Sequence, residues 1–311
     1  MTLNPAVTAG AGALPRRRRP PRRSSRRRWT GWGFVGPFLA VFVFALIVPI
    51  GYAIYLSLYR QELIGGNAFV GLGNYKLALS DPQFWASLRR MLLFLVVQVP
   101  VMTVLALLAA LALDSARLRW APLYRLSIFL PYAVPAVVAS LMWGFIYGSQ
   151  FGLVARVRSL FGGHFPDPFS SNWVLTSIGN VVTWEFVGYN MLIFFSALRA
   201  VPGELYEAAE IDGATQYAII RWIKLPAIRV AIVVSLIFSV IGSLQLFNEP
   251  QILHFLTPDT IPLNYTPNMY AYNLSFAGQE YNYSAAIAIV MGILTVIIAA
   301  AVQWYGRRRA A

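Results

Sequence analysis

Cysteine is absent from the 311 residues, which excludes disulfides, thiolate metal sites and cysteine nucleophiles and leaves the redox compartment open. Lysine is almost absent too. Only Lys76 and Lys224 occur, and neither follows the glycine-rich G-x-x-x-x-G-K-[ST] pattern that cradles phosphates, so the chain cannot hydrolyse ATP by that route. The two histidines, His164 and His254, fall in predicted external segments without a paired ligand for zinc or a serine triad, and they read as solvated loop residues. Charged residues make up only 12% of the chain, and the acidic ones within its apolar stretches reduce to Glu185. The series of intramembrane carboxylates common in proton-driven carriers is therefore missing, and no clear inverted repeat points to a self-sufficient secondary carrier.

Apolar residues are what the chain has in excess. At 58% hydrophobic and a mean hydropathy of +0.60 it exceeds ordinary soluble domains and belongs in a bilayer. The net charge of +13 comes largely from one place, the nine arginines between Arg16 and Arg28. Residues 1–30 cannot bury a core and read as a disordered basic tail. The apolar run that follows is a full span without a convincing cleavage site, so the tail is expected to be retained, on the cytoplasmic side. Its arginines suit anionic lipid headgroups, at about 1 kcal/mol each near the surface, rather than nucleic acid.

Hydropathy predicts an all-α membrane protein of six spans within residues 31–311: Trp32–Leu58, Met91–Leu113, Leu126–Tyr147, Trp173–Leu198, Ala227–Phe247 and Ser284–Tyr305. Pro37 and Pro49 predict kinks in the first. Between the first and second, the polar segment predicts a turn and a short interfacial helix near Ser80-Asp81-Pro82. With both termini cytoplasmic, nineteen of the twenty-five basic residues fall on the cytoplasmic side. Arg89 and Arg90 fit that pattern least.

The loop at residues 201–226 differs from everything around it. Pro202 suits a helix start, and Glu204, Glu207 and Glu210 sit where the positive end of a helix dipole favours anions. Leu205, Ala208 or Ala209, and Ile211 would form a narrow apolar stripe suited to insertion in a groove. Asp212-Gly213 should break this helix, with a second amphipathic turn through Tyr217, Ile220 and Ile223 stopped by Leu225-Pro226.

Glu207-Ala208-Ala209, Gly213, Ile223 and Leu225-Pro226 also form the pattern E-A-A, three residues, G, nine residues, I, one residue, L-P. In this the chain resembles the inner-membrane permeases of binding-protein-dependent ABC importers. Phe69-Val70-Gly71-Leu72-Gly73-Asn74-Tyr75 and Leu130-Pro131-Tyr132 with Pro135 are similar to the sugar-importing branch. The resemblance implies the type I importer architecture and makes the loop a coupling helix that docks on a cytoplasmic ATPase subunit. It also implies a second related permease, two ATP-binding subunits or a homodimer of one, an extracytoplasmic solute-binding protein and a sugar substrate. ATP and Mg would then reside on the ATPase subunits, and a polyol or other small solute is the alternative cargo.

For the pathway itself the residues speak less directly. Glu185 lies in the middle of the fourth span, where an ionised carboxylate costs a few kcal/mol and should face a cavity or a partner. Two readings fit. Glu185 binds sugar hydroxyls with Asn190 while Trp184 or Tyr189 offers a ring face, or it is a hydrogen-bonded glutamate that fixes helix packing. Gln245, Asn248, Glu249 and Pro250 at the outer end of the fifth span line the pathway mouth, contact a delivering protein, or cap a helix at the headgroups. The helix bearing Pro131 and Pro135 is a candidate pathway wall, because proline frees backbone carbonyls there.

Overall fold

A computed structural model describes residues 26–62, 66–115, 118–148, 152–161 and 166–310. Most of the basic tail, Arg117 and His164 lie outside these described residues. The chain divides into two compact units, Met1–Gly51 and Tyr52–Ala311. In the first, α1 (Arg26–Phe42) carries Pro37 within it and leads through a π-helical turn at Val43–Ile47 into α2 (Val48–Ser57), where the boundary falls. Pro49 has no N–H for the carbonyl of Ala45 four residues back. The Val48 N–H instead reaches the Val43 carbonyl, five residues back, so the wider turn absorbs the gap.

The second unit begins with a feature that hydropathy did not predict, a hairpin of β1 (Tyr59–Glu62) and β2 (Gly66–Phe69) with Tyr59 opposite Phe69. Their rings meet edge-on at 5.3 Å and give the short ladder a cross-strand pair. The chain then enters α3 (Gly73–Ser80). Buried Asn74 donates to the carbonyls of Ser57 and Tyr59, and the Tyr75 hydroxyl lies 2.6 Å from Ser57 Oγ, so α3 is tied to the end of α2.

Asp81 ends α3 and caps α4 (Pro82–Asp114) by accepting from the Gln83 N–H. The second apolar helix therefore starts at Pro82 rather than Met91, because a capping carboxylate followed by a proline in the first turn is a strong helix start. At 1.5 Å per residue α4 is about 50 Å long, well beyond the hydrocarbon thickness.

The third apolar stretch is broken rather than kinked. α5 (Ala121–Phe129) continues into a 3₁₀ turn at Leu130–Ala133, and the next helix, α6 (Ala136–Tyr147), leaves at 99°. Val134 is extended at φ −82° and ψ 128°, since the residue before a proline is pushed out of the helical region. Pro135 then opens α6.

α7 (Leu153–Leu160) precedes the long α8 (Val174–Arg199). The cytoplasm-assigned loop forms α9 (Glu204–Ile211), α10 (Gln216–Ile219), a π turn at Ile220–Lys224 and α11 (Leu225–Ala227). The remaining helices are α12 (Arg229–Leu244), α13 (Asn248–His254), α14 (Pro267–Phe276) and α15 (Tyr281–Ala310). His254 closes α13 instead of lying in a solvated loop, and its Nδ1 is 2.5 Å from the Ile261 carbonyl. Among the described residues, five helical stretches are long and apolar enough to cross a membrane, or six with the bent pair taken as one.

α4 and α8 make the most extensive helix pairing. Ala106 and Ala110 lie one turn apart on α4 and are fully buried, which lets Met191, Phe194 and Leu198 of α8 pack closely. Small residues at the seam matter because lipid supplies no hydrophobic drive between helices. Farther along the same seam Gln98 donates to Thr183 Oγ1 at 2.5 Å. A second apolar cluster joins Met91 and Val99 of α4 to Val240 and Leu244 of α12 and to Ile287 and Met291 of α15.

At the Asp81 end of α4, polar groups take over. Tyr270 of α14 and Tyr283 of α15 both donate to Asp81 Oδ2 at 2.7 Å. Burial works to raise the Asp81 carboxyl, but these hydroxyls and the Gln83 N–H outweigh it and hold the group below its ordinary value. Arg90, awkward for the orientation rule, is occupied here. Its guanidinium lies 5.2 Å from the centre of the Tyr265 ring and 3.4 Å from the Tyr265 carbonyl.

Candidate functional site

The predicted site residues separate into two places, an exposed loop and a partly open cavity. In the loop, α9 carries Glu207, Ala208 and Ala209 and has no buried residue. Glu204 and Glu207 occupy its first turn, while Pro202 precedes the Gly203 cap instead of starting the helix. Leu205 and Ile211 are exposed, the latter to 86%.

The end of α9 shows why glycine stands at position 213. The Gly213 N–H donates to the Glu210 carbonyl at 3.1 Å and the Ala214 N–H to the Ala209 carbonyl at 2.9 Å. This bond pair is a Schellman turn, which needs left-handed backbone at the residue after the cap Asp212, and Gly213 has φ +78°. Thr215 then caps α10 by accepting from the Ala218 N–H at 3.3 Å. The angle between α9 and α10 is thus set by local backbone geometry.

Ile223 and Leu225 are half-buried and Pro226 is exposed. Leu225-Pro226 does not stop the helix as predicted. The Leu225 N–H donates to the Ile220 carbonyl, so the π turn takes up the donor that Pro226 lacks, and the helix runs on to a break at Ile228 (φ −94°, ψ 8°).

The second place is a cavity of about 350 Å³ bordered by α4, α8, α12 and the 3₁₀ turn of the broken span. Tyr132 stacks on Tyr189 with ring centres 5.0 Å apart and meets Phe186 edge-on at 5.8 Å. Tyr132 gets there because the end of α5, just before its turn, presses directly on α8 at Gly188, where any Cβ would collide with the Ile128 carbonyl and the Phe129 backbone. Asn190, Ser239, Gln245, Asn248 and Glu249 supply polar lining. Asn190 is also structural: its amide donates to the Phe186 carbonyl at 3.1 Å, and Ser235 of α12 donates to its Oδ1 at 2.5 Å.

Glu185 stands behind this lining, 3% exposed, with its carboxyl against that of Glu249 and its Oε2 without a hydrogen-bond partner. The expectation of one acidic residue within the spans is therefore overturned. The helix breaks at Gln245–Phe247, where Phe247 takes φ −147° and ψ −54°, and α13 packs Glu249 against α6 and α8 instead of leaving it at the headgroups. Trp184 is not part of the cavity lining. It meets Trp143 of α6 edge-on at 6.0 Å.

So the structure brings Tyr189, Asn190, Gln245 and Asn248 together, sets Glu185 behind them and turns Trp184 away. Sequence reasoning did not single out Tyr132 as a site residue, and it named Glu249 only among the groups that line the pathway mouth, meet a delivering protein or cap a helix. The only signal for Tyr132 was the pair of prolines around it, and nothing in the sequence pointed to a meeting of Glu249 with Glu185.

Residues 90–311 match the family model described as binding-protein-dependent transport system inner membrane component. Over 300 residues the chain is 33% identical to the lactose transport system permease protein LacF of Rhizobium radiobacter, covering 92% of the chain and 97% of that relative. It is 32% identical over 312 residues to the diacetylchitobiose uptake system permease protein NgcF of Streptomyces coelicolor, covering 94% and 86%. Among solved structures, a chain of a bacterial alginate ABC transporter in complex with alginate pentasaccharide-bound periplasmic protein shares the fold, with a TM-score of 0.81 at 19% identity over 92% of this chain and 96% of that one.

Proposed function

The chain belongs to the family of binding-protein-dependent transport system inner membrane components, and from that premise we propose that it is the permease subunit of an ATP-driven saccharide importer. It is a multi-pass membrane protein whose family does transport rather than catalysis. The observation that carries the proposal is α9, a helix with no buried residue, closed by the Gly213 turn and presenting Leu205 and Ile211 to an outside partner. That is the shape a docking helix needs. With no phosphate-binding loop in the chain, ATP and Mg²⁺ belong to separate ATPase subunits, and both termini and α9 face the cytoplasm with them.

The cargo follows from the relatives and from the cavity. Two relatives at 30% identity or more are permeases for lactose and for diacetylchitobiose. The stacked faces of Tyr132 and Tyr189 suit the apolar faces of pyranose rings, and the amides of Gln245 and Asn248 suit their hydroxyls. A second, related permease completes the pathway, and an extracytoplasmic binding protein delivers the sugar to it.

The test is purification of the tagged chain from its native membrane in mild detergent, with the co-purifying proteins identified by mass. An ATPase and a second permease are expected. The double variant Glu207→Lys with Gly213→Pro should keep the second permease and lose the ATPase, since proline cannot adopt φ +78° and removes the N–H bonded to Glu210. Retention of the ATPase by that variant, or transport by the chain alone, would refute the proposal.

A further inference from the structure

Asp114 and Lys224 form an ion pair that neither the loop pattern nor the cavity accounts for. Lys224 Nζ lies 2.6 Å from Asp114 Oδ2, and the two side chains are only 12% and 7% exposed. The other ion pair among the described residues, Arg158 with Asp167, is 3.6 Å long and far more open to solvent. Asp114 is the last residue of α4. Lys224 ends the π turn and occupies the one variable position between Ile223 and Leu225-Pro226.

A third residue joins them from α9. Lys224 Nζ sits 5.1 Å from the centre of the Tyr206 ring, and the Tyr206 hydroxyl is buried without a hydrogen-bond partner. Burial and then the Asp114 charge push that hydroxyl upward, as expected for a ring held within the field of the carboxylate. One lysine thus bridges the α9 helix and the end of α4.

We infer that Lys224, with Asp114 and Tyr206, is a strut through which displacement of the α9 loop is delivered to α4 and so to the wall of the cavity. It rests on the assignment of α9 as the coupling segment. α4 lines the cavity with Phe94 and Met102, and Met102 lies about 18 Å along the helix axis from Asp114. A continuous α-helix packed along α8 moves as one body over that length. The pair is poorly explained as a source of stability, because replacing a buried ion pair by apolar residues is commonly neutral or better, whereas such a pair does fix the register of the elements it joins. The π turn supports a positional role. It inserts one residue per turn just where the side chain must be aimed at Asp114.

Since the chain has no cysteine, Val104→Cys on α4 and Val234→Cys on α12, both exposed in the native helices, give two label sites. The experiment uses the complete co-purified complex in lipid nanodiscs, with any cysteines of the other subunits replaced, and measures the spin–spin distance before and after addition of Mg-ATP and orthovanadate. The native background should show a nucleotide-dependent shift. Asp114→Asn and Lys224→Gln should each abolish it while the complex still retains its ATPase and hydrolyses ATP, and the swapped pair Asp114→Lys with Lys224→Asp should restore it. Asp114→Glu, which keeps the charge pair, should assemble and respond. A shift that persists in both single variants overturns the strut, as does a swapped or Asp114→Glu complex that assembles without responding, or a native complex that never shifts. Loss of the ATPase from Glu207→Lys with Gly213→Pro tests the coupling assignment separately, so each can fail without the other.

Discussion

α9 and the middle of α8 each carry a glutamate within a short distinctive stretch, and the chain treats the two in opposite ways. Glu207 sits in the first turn of a helix with no buried residue, where water and the helix dipole accommodate its charge. Glu185 is buried at the meeting of α8 with α13, where only protein groups can satisfy it, and it meets a second carboxyl. The first is a surface built by local chain chemistry and left open to solvent. The second is a polar centre that exists only because separate helices converge. Changes in α9 should therefore spare folding and weaken association, while changes around Glu185 should do the reverse.

That contrast is open to direct attack, and the largest effect belongs to Gly188. Gly188→Leu forces the end of α5 away from α8, because its Cβ has no space beside the Ile128 carbonyl. A loss of about 3 kcal/mol is expected from such overpacking, read as a clear fall in melting temperature by tryptophan fluorescence in detergent. An unchanged melt would mean that the end of α5 does not press on α8. Glu185 comes next. Glu185→Gln keeps a partner for Glu249 and should cost about 1 kcal/mol or less, whereas Glu185→Leu strands the buried Glu249 carboxyl and should cost about 1–3 kcal/mol. Equal melting temperatures for the two variants would show that the carboxyls do not depend on each other. The smallest stability effect is expected at the surface: Leu205→Ala with Ile211→Ala should move stability by no more than about 0.5 kcal/mol. The same change should reduce the ATPase recovered with the chain, and a large loss of stability with full recovery would invert the comparison.

How much of this was visible beforehand depends on the range of the forces involved. The α9 turn was legible because Asp212-Gly213 satisfies a bonding pattern only a few residues long, as was the capping at Asp81-Pro82, although not that this cap starts α4. The apolar stretches were legible because lipid demands them. The hairpin at Tyr59–Phe69 was not, since the sequence there offers no strong alternation, and the pairing is stabilised by contacts across it. Pro131 and Pro135 announced an irregular helix but not a 99° bend, whose size depends on how closely α8 admits the end of α5 at Gly188. Leu225-Pro226 was a misleading stop signal because a π turn upstream took up the missing donor. Glu249 was read either as lining the pathway mouth or as capping a helix at the headgroups, and nothing local decided between them, because the break that folds it inward depends on α13 packing against α6 and α8.

The sequence by itself determined that this is a polytopic membrane chain with one solvated, charged loop of family pattern, because apolar length and turn chemistry are local and additive along the chain. Only the tertiary structure decided that Tyr132 and Tyr189 share a cavity, that Glu185 meets Glu249, and that Lys224 reaches Asp114 across 110 positions. Those pairings depend on the close approach of helices at Ala106, Ala110 and Gly188, and packing between distant segments leaves no periodic or local trace in either one.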